Sequence, residues 1–210
     1  MTTQRNFLFL QGPHGPFFAQ LARMLRAAGA TVHRVGFNAG DQIFWGTAPN
    51  YIAFREPVDA WPDRFAEILH ARAITDIVVY GDTRPIHAQA VALAKAAGLG
   101  VHVFEEGYLR PYWVTYERGG SNGHSQLMDI TVADMRARLA AEAVDIATPP
   151  SHWGDMRQHI FYGALYHWFV MFWNRGYPHF APHRALPIHR EAMLYFKRLI
   201  LMPFLAVNRI

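Results

Sequence analysis

Ile74-Thr75-Asp76-Ile77-Val78-Val79-Tyr80 is the clearest strand in the chain, and the residues just after it decide the fold. The run is rich in β-branched residues and stops at Gly81-Asp82-Thr83-Arg84-Pro85. Ile86 to Ala97 then reads as a helix closed by Gly98, and Val101–Phe104 as another strand running into Glu105-Glu106-Gly107. Strand, helix and strand at this spacing make a β-α-β unit, and such units pair their strands in parallel.

Toward the N-terminus the alternation repeats. Asn6–Leu10 is an apolar run suited to a buried strand, and Gln11 to Pro16 is a Gly/Pro loop. Phe17, Leu21, Met24, Leu25 and Ala28 recur at helical spacing, with Gly29 as the stop. Thr31–Phe37 reads as a second strand ending in Asn38-Ala39-Gly40-Asp41. Gln42 to Pro62 reads as a looser segment, after which Pro62 opens a helix through Phe65, Ile68 and Leu69. The expected fold class is α/β, a Rossmann-like, doubly wound parallel sheet over residues 1–127.

Beyond Gly119-Gly120-Ser121-Asn122 the pattern changes. A polar helix is expected from Val132 to Ala143, then a break at Pro149-Pro150 and a dense aromatic stretch from Phe161 to Trp173. Residues 128–210 are therefore expected to form a helical, aromatic-rich extension, and its apolar end without a stop signal reads as a truncation. The aromatic stretch falls short of the ~20 apolar residues that a membrane-spanning helix needs. Trp and Tyr favour the headgroup zone, so an interfacial helix is one reading; burial against a partner domain is the favoured one.

Composition narrows the function. Charged residues make up only 17% of the chain, the net charge is +4 with twelve histidines neutral, and lysine occurs at just Lys95 and Lys197. Single, scattered arginines do not make a nucleic-acid stripe, so nucleic acid is not an expected partner; a phosphate, a carboxylate or an anionic membrane surface is. The absence of cysteine excludes disulfides, thiolate metal sites and a cysteine nucleophile. No cleavable signal pattern precedes the first strand, which makes the cytoplasm the default location.

In an open parallel sheet, ligands bind beyond the carboxyl ends of the strands. The loops expected there are Gly12-Pro13-His14-Gly15, Asn38 to Asp41, Asp82 to Pro85, and Glu105 to Pro111. Each has a bland reading as turn chemistry, and Asp82 could simply cap the next helix. Adjacent carboxylates such as Glu105 and Glu106 repel unless cations or protons intervene, and Arg84 and Arg110 are candidate neighbours. A strand-end acid could act as general acid or base, or as nucleophile toward an anomeric carbon. The glycine fingerprint of dinucleotide binding is missing, as are the P-loop, H-E-x-x-H and any D-x-D pair, so no cofactor or metal is expected. His14, His87, His102 and His124 are not spaced as a ligand set; His124 has the strongest claim to a ligand, inside the polar loop Ser121-Asn122-Gly123-His124-Ser125.

Taken together, the segments at 9–18, 37–41, 80–85, 105–111 and 119–125 resemble the capsule polysaccharide biosynthesis and export proteins. The resemblance implies a GT-B-like transferase, of which this chain would be the N-terminal, acceptor-side part. The implied reaction moves β-Kdo (3-deoxy-D-manno-octulosonic acid) from CMP-Kdo to a phosphatidylglycerol-type lipid or a Kdo-lipid acceptor. A related branch has Glu-Asp-Gly-Phe where this chain has Glu105-Glu106-Gly107-Tyr108, which implies Glu106 as the carboxylate working at the anomeric carbon. Asp82 would be its acid/base partner, with Glu105 as the alternative. Substrate-binding roles fall to His14, Asn38, Asp41, Arg84, His87, Arg110, Asn122 and His124. Implied partners are CMP-Kdo, the lipid-linked acceptor, the inner-membrane surface and capsule assembly proteins, with the protein cytoplasmic and peripheral to the inner membrane. The rival expectation is a non-catalytic, membrane-associated binding module in capsule assembly.

Overall fold

In the computed structural model, which describes residues 4–47, 49–107, 113–142, 156–181 and 188–207, strand β1 (Asn6–Phe9) shows how the sequence builds its layers. Phe7 and Phe9 point to one face of the sheet and Leu8 and Leu10 to the other, and all four are buried. A strand covered on both faces has no polar side to show, which is why the run is continuously apolar.

The other strands are β2 (Thr31–Gly36), β3 (Tyr51–Ala53), β4 (Asp76–Tyr80), β5 (Gly100–Glu106) and β6 (Val114–Arg118). They form one sheet in the order β3-β2-β1-β4-β5-β6. The first five are parallel. The edge strand β6 runs antiparallel to β5, with Glu105 opposite Thr115 and Glu106 opposite Val114. The chain runs outward from β1 through β2 to β3, then returns to the other side of β1 for β4 and β5. The crevice between β1 and β4 is therefore the topological switch point, where a sheet of this kind opens a ligand site.

The helices α1 (Phe17–Ala27), α2 (Ala39–Trp45), α3 (Trp61–Ala71) and α4 (Pro85–Ala96) cover the sheet. Phe18, Ala22 and Trp45 pack with Phe7, Phe9, Val32 and Val78 on one face. Trp61, Phe65, Ile68, Ala90 and Ala94 pack with Leu8, Leu10, Val35, Ile77, Val79 and Val103 on the other. Burying one such Leu, Ile, Val or Phe side chain stabilises by about 1.5–3 kcal/mol, so a charge at Val79 would break this layer.

Three more helices complete the described chain: α5 (Val132–Ala141), α6 (Arg157–Phe172) and α7 (Ile188–Val207). Helix α6 packs against α2, burying Tyr166 and Val170. Its other side leaves Phe161, Trp168, Phe172 and Trp173 exposed. No helix among the described residues is long and apolar enough to cross a membrane.

The α/β fold is as expected, with three local differences. The segment 42–62, expected to be loose, holds most of α2, together with β3 and a 3-10 turn at Val58–Ala60. The sheet is parallel except for its last strand, β6. Asp82 does not cap α4; the N-cap is Arg84, which makes no side-chain capping bond.

Candidate functional site

Strand β4 ends where Gly81 turns with φ +72, which releases Asp82 from the ladder and directs the loop toward the end of β5. Asp82 is 3% exposed. Its Oδ2 accepts the backbone N–H of Ser121 at 3.0 Å and lies 3.1 Å from Nδ1 of His124. Because a carboxylate only accepts, that contact fixes the tautomer: Nδ1 carries the proton, and Nε2 is the basic nitrogen of the neutral ring. Asp82 Oδ1 is buried and has no hydrogen-bond partner among the described residues.

Glu105 belongs to the same group. Ser121 Oγ donates to its Oε1 at 3.0 Å, and Asn122 Nδ2 donates to its Oε2. Ser121 thus bridges the two carboxylates, its amide on Asp82 and its hydroxyl on Glu105. The loop can fold so tightly because of Gly120, where an added Cβ would sit 2.4 Å from the carbonyl oxygen of His124. Glu106 follows Glu105 along a strand, so its side chain leaves from the opposite face of β5. The structure brings Asp82, Glu105, Asn122 and His124 together and leaves Glu106 across the sheet from them.

Two residues beyond Asp82, Arg84 points to the second half of the site. Its Nη1 donates to Gln11 Oε1 at 3.0 Å, linking the ends of β4 and β1 across the switch point. Arg84 and Gln11 line a cleft of about 280 Å3 whose other walls include Phe37, Phe54, Ile86 and Phe180. The walls are mostly apolar, with Arg84, Glu56 and His179 as the ionisable side chains, and the guanidinium is the group suited to an anionic part of a ligand whose remainder is apolar. Among the described residues no three acidic or histidine side chains converge as a metal-ligand set.

Asn38, Asp41 and His87 lie deeper. Asn38 and Asp41 are fully buried. Asn38 Oδ1 caps α2 by accepting the amide of Asp41 at 2.9 Å, and Asp41 Oδ2 accepts the amide of Phe37 at 2.9 Å. Asp41 also pairs with Arg34 at 3.3 Å. Burial pushes the Asp41 carboxyl up from its ordinary value, against the pull of Arg34 and of the Phe37 amide. His87 is buried and donates Nδ1–H to the carbonyl of Gly81 at 2.7 Å, holding the turn before Asp82. His14 stacks on Tyr166 with ring centroids 4.3 Å apart. Arg110 lies outside the described residues.

Sequence reasoning left Gln11, Ser121 and Tyr166 without roles. Ser121 lay inside a loop already singled out, and Gln11 inside the first Gly/Pro loop. Nothing local marks Tyr166, whose partners are more than 120 residues away.

Comparison with known proteins gives this geometry its family. The model for "Capsule polysaccharide biosynthesis protein" matches residues 75–203, well over half of the chain. The chain belongs to that family. The matched region opens at β4 and holds the whole Asp82–Glu105–His124 group. The capsule polysaccharide modification protein LipB of Neisseria meningitidis serogroup A is 36% identical over 192 residues, covering 88% of this chain and 44% of LipB. The capsule polysaccharide export protein KpsS of Escherichia coli is 38% identical over 123 residues, covering 59% of this chain and 31% of KpsS. The chain thus spans less than half the length of these relatives. The solved structure of TubZ from Clostridium botulinum phage c-st overlays half of the chain with a TM-score of 0.29 and 11% identity, too loose a likeness to carry any argument.

Proposed function

We propose that this chain supplies the acceptor-side half of a transferase that moves β-Kdo from CMP-Kdo to a phosphatidylglycerol-type lipid or a Kdo-lipid acceptor. Membership of the capsule family supports this reading, and the observation that carries it is the Asp82–His124 contact at 3.1 Å beside Glu105. In the proposed step the acceptor hydroxyl oxygen bonds to the anomeric carbon while the bond from that carbon to the CMP phosphate oxygen breaks. The hydroxyl proton passes to His124 Nε2, with Asp82 holding the ring in the required tautomer. Arg84 grips the Kdo carboxylate or a phosphate.

Retention of the β configuration calls for a carboxylate that first takes the sugar, or for attack from the leaving-group side. Glu106 is the carboxylate implied by the family resemblance; Glu105 is the one that stands beside Asp82. Mass spectrometry of a Kdo-lipid acceptor incubated with CMP-Kdo tests the whole reading: a gain of one Kdo is expected. The assay is run on this chain and on the whole product if its gene encodes more. No gain with either would overturn the reading, and Glu105→Gln beside Glu106→Gln would tell the two acids apart.

A second reading rests on a different observation. Trp168, Phe172 and Trp173 lie on the open side of α6, exposed by 42%, 63% and 64%. A non-catalytic module held at the inner membrane of a capsule-assembling cell would show such a surface, and it would float with anionic vesicles while transferring nothing.

A further inference from the structure

Helix α6 touches Gln11, a residue of the cleft wall, through the hydroxyl of Tyr166. Tyr166 OH lies 2.7 Å from Asn38 Nδ2, 3.0 Å from Gln11 Nε2 and 3.4 Å from Asp41 Oδ1. The two amide nitrogens can only donate, so the tyrosine oxygen accepts from both and its own proton goes to Asp41. That assignment decides the next link. With Nε2 committed to Tyr166, Gln11 must present Oε1 to the cleft, where it accepts from Arg84 Nη1 at 3.0 Å. Turned over, the amide would set an N–H2 group against a guanidinium, donor against donor.

We propose that Tyr166 and Gln11 are positioning residues for Arg84: α6 sets the guanidinium in its anion-gripping place before any ligand arrives. An arginine side chain has many rotamers, and freezing it in advance removes that ordering cost from binding. Gln11 and Tyr166 are buried, so water competes little for the bond between them. The proposal rests on the reading of Arg84 as the residue that binds the substrate anion. It adds that the aromatic helix, remote in sequence, helps to set how tightly that anion is held.

The test uses the full chain and three substitutions, Tyr166→Phe, Gln11→Met and Arg84→Ala. Gln11→Met leaves Tyr166 bonded to Asn38 and Asp41, so it guards against a loss of folding in Tyr166→Phe. The first readout needs no ligand: the NMR order of the Arg84 Nε–Hε group, assigned by its disappearance in Arg84→Ala. It is expected to be rigid in the parent and mobile in both relay variants. A mobile parent, or a signal left rigid by Gln11→Met, overturns the proposal.

The second readout is affinity for CMP and for dihexanoyl phosphatidylglycerol, by calorimetry. Each single variant is expected to weaken the ligand that binds by roughly tenfold, and Gln11→Met/Arg84→Ala by no more than Arg84→Ala alone. Additive losses overturn the positioning role while leaving Arg84 as an anion ligand. If Arg84→Ala changes neither affinity, the reading of Arg84 itself falls and the positioning role falls with it.

Discussion

Asn38 donates its side-chain amide to the hydroxyl of Tyr166 at 2.7 Å, across 128 residues of sequence. The contact joins the N-terminus of α2 to the middle of α6, and it forms because α2 carries Gly40 at the point of approach. A Cβ at that position would lie 2.5 Å from Cδ2 of the Tyr166 ring. Gly40→Ala is expected to push α6 off α2 and to cost about 1–3 kcal/mol, the usual range for overpacking. Urea unfolding measures it. An unchanged midpoint would mean that α6 adjusts without loss.

The central β-α-β unit was legible because β4 is buried from Asp76 to Val79 and α4 is bounded by Pro85 and Gly98. The segment 42–62 was not, although its strongest signal stood in plain view. In Asn38-Ala39-Gly40-Asp41 an N-cap residue precedes an acid at the third helical position. Helix α2 is only seven residues long and β3 only three, too short for periodicity to register. Strand β6 alternates exposed and half-buried side chains at a sheet edge, so it lacks the apolar run that marked the others. For the site, the loops were legible as loops. Which of Glu105 and Glu106 joins Asp82 was not, because a one-residue choice of face depends on register against the neighbouring strand.

At the end of the sheet remote from the site, Asp76 fastens the N-terminal segment. Arg5 Nε donates to its Oδ2 at 3.1 Å, Thr75 Oγ1 donates to the same oxygen at 2.7 Å, and His102 Nε2 lies 3.0 Å from Oδ1. Burial by itself would raise this carboxyl, but the hydrogen bonds from Arg5, Thr75 and His102 outweigh it and hold the pKa at about 2. A depressed folded-state value contributes stability that is present above the unfolded value of about 4 and is lost as pH falls toward 2. Asp76→Asn should therefore cost about 2 kcal/mol at pH 6, and most of that gap to the parent should be gone by pH 2, where about half of the folded-state carboxyls are still ionised. Urea midpoints measured across that range decide it; a gap independent of pH would assign the loss to packing.

On the open side of α6, Trp168 and Trp173 lie with ring centroids 5.4 Å apart. Neither is buried, so changing them should leave the fold intact. Replacing both with glutamate puts two negative charges where an anionic membrane would meet indole rings. Partition onto vesicles containing phosphatidylglycerol is expected to fall by about tenfold or more, with an unchanged thermal midpoint. Equal flotation of parent and variant would remove this face from any membrane role.

The proton-transfer step of the proposed reaction rests on Asp82 and His124. With Asp82→Asn the acceptor of the His124 Nδ1 proton becomes an amide that can turn its N–H2 toward the ring, and the tautomer is no longer fixed. The turnover number should fall by about 10²–10⁴-fold while KM for CMP-Kdo changes little, since neither residue is assigned to hold the donor. His124→Ala should lose a similar amount, and the double variant little more, because the two act as one unit. His124 is largely exposed, so its removal should leave the unfolding midpoint almost unchanged. A His124→Ala protein that keeps full turnover would take the proton-carrier role away from this pair.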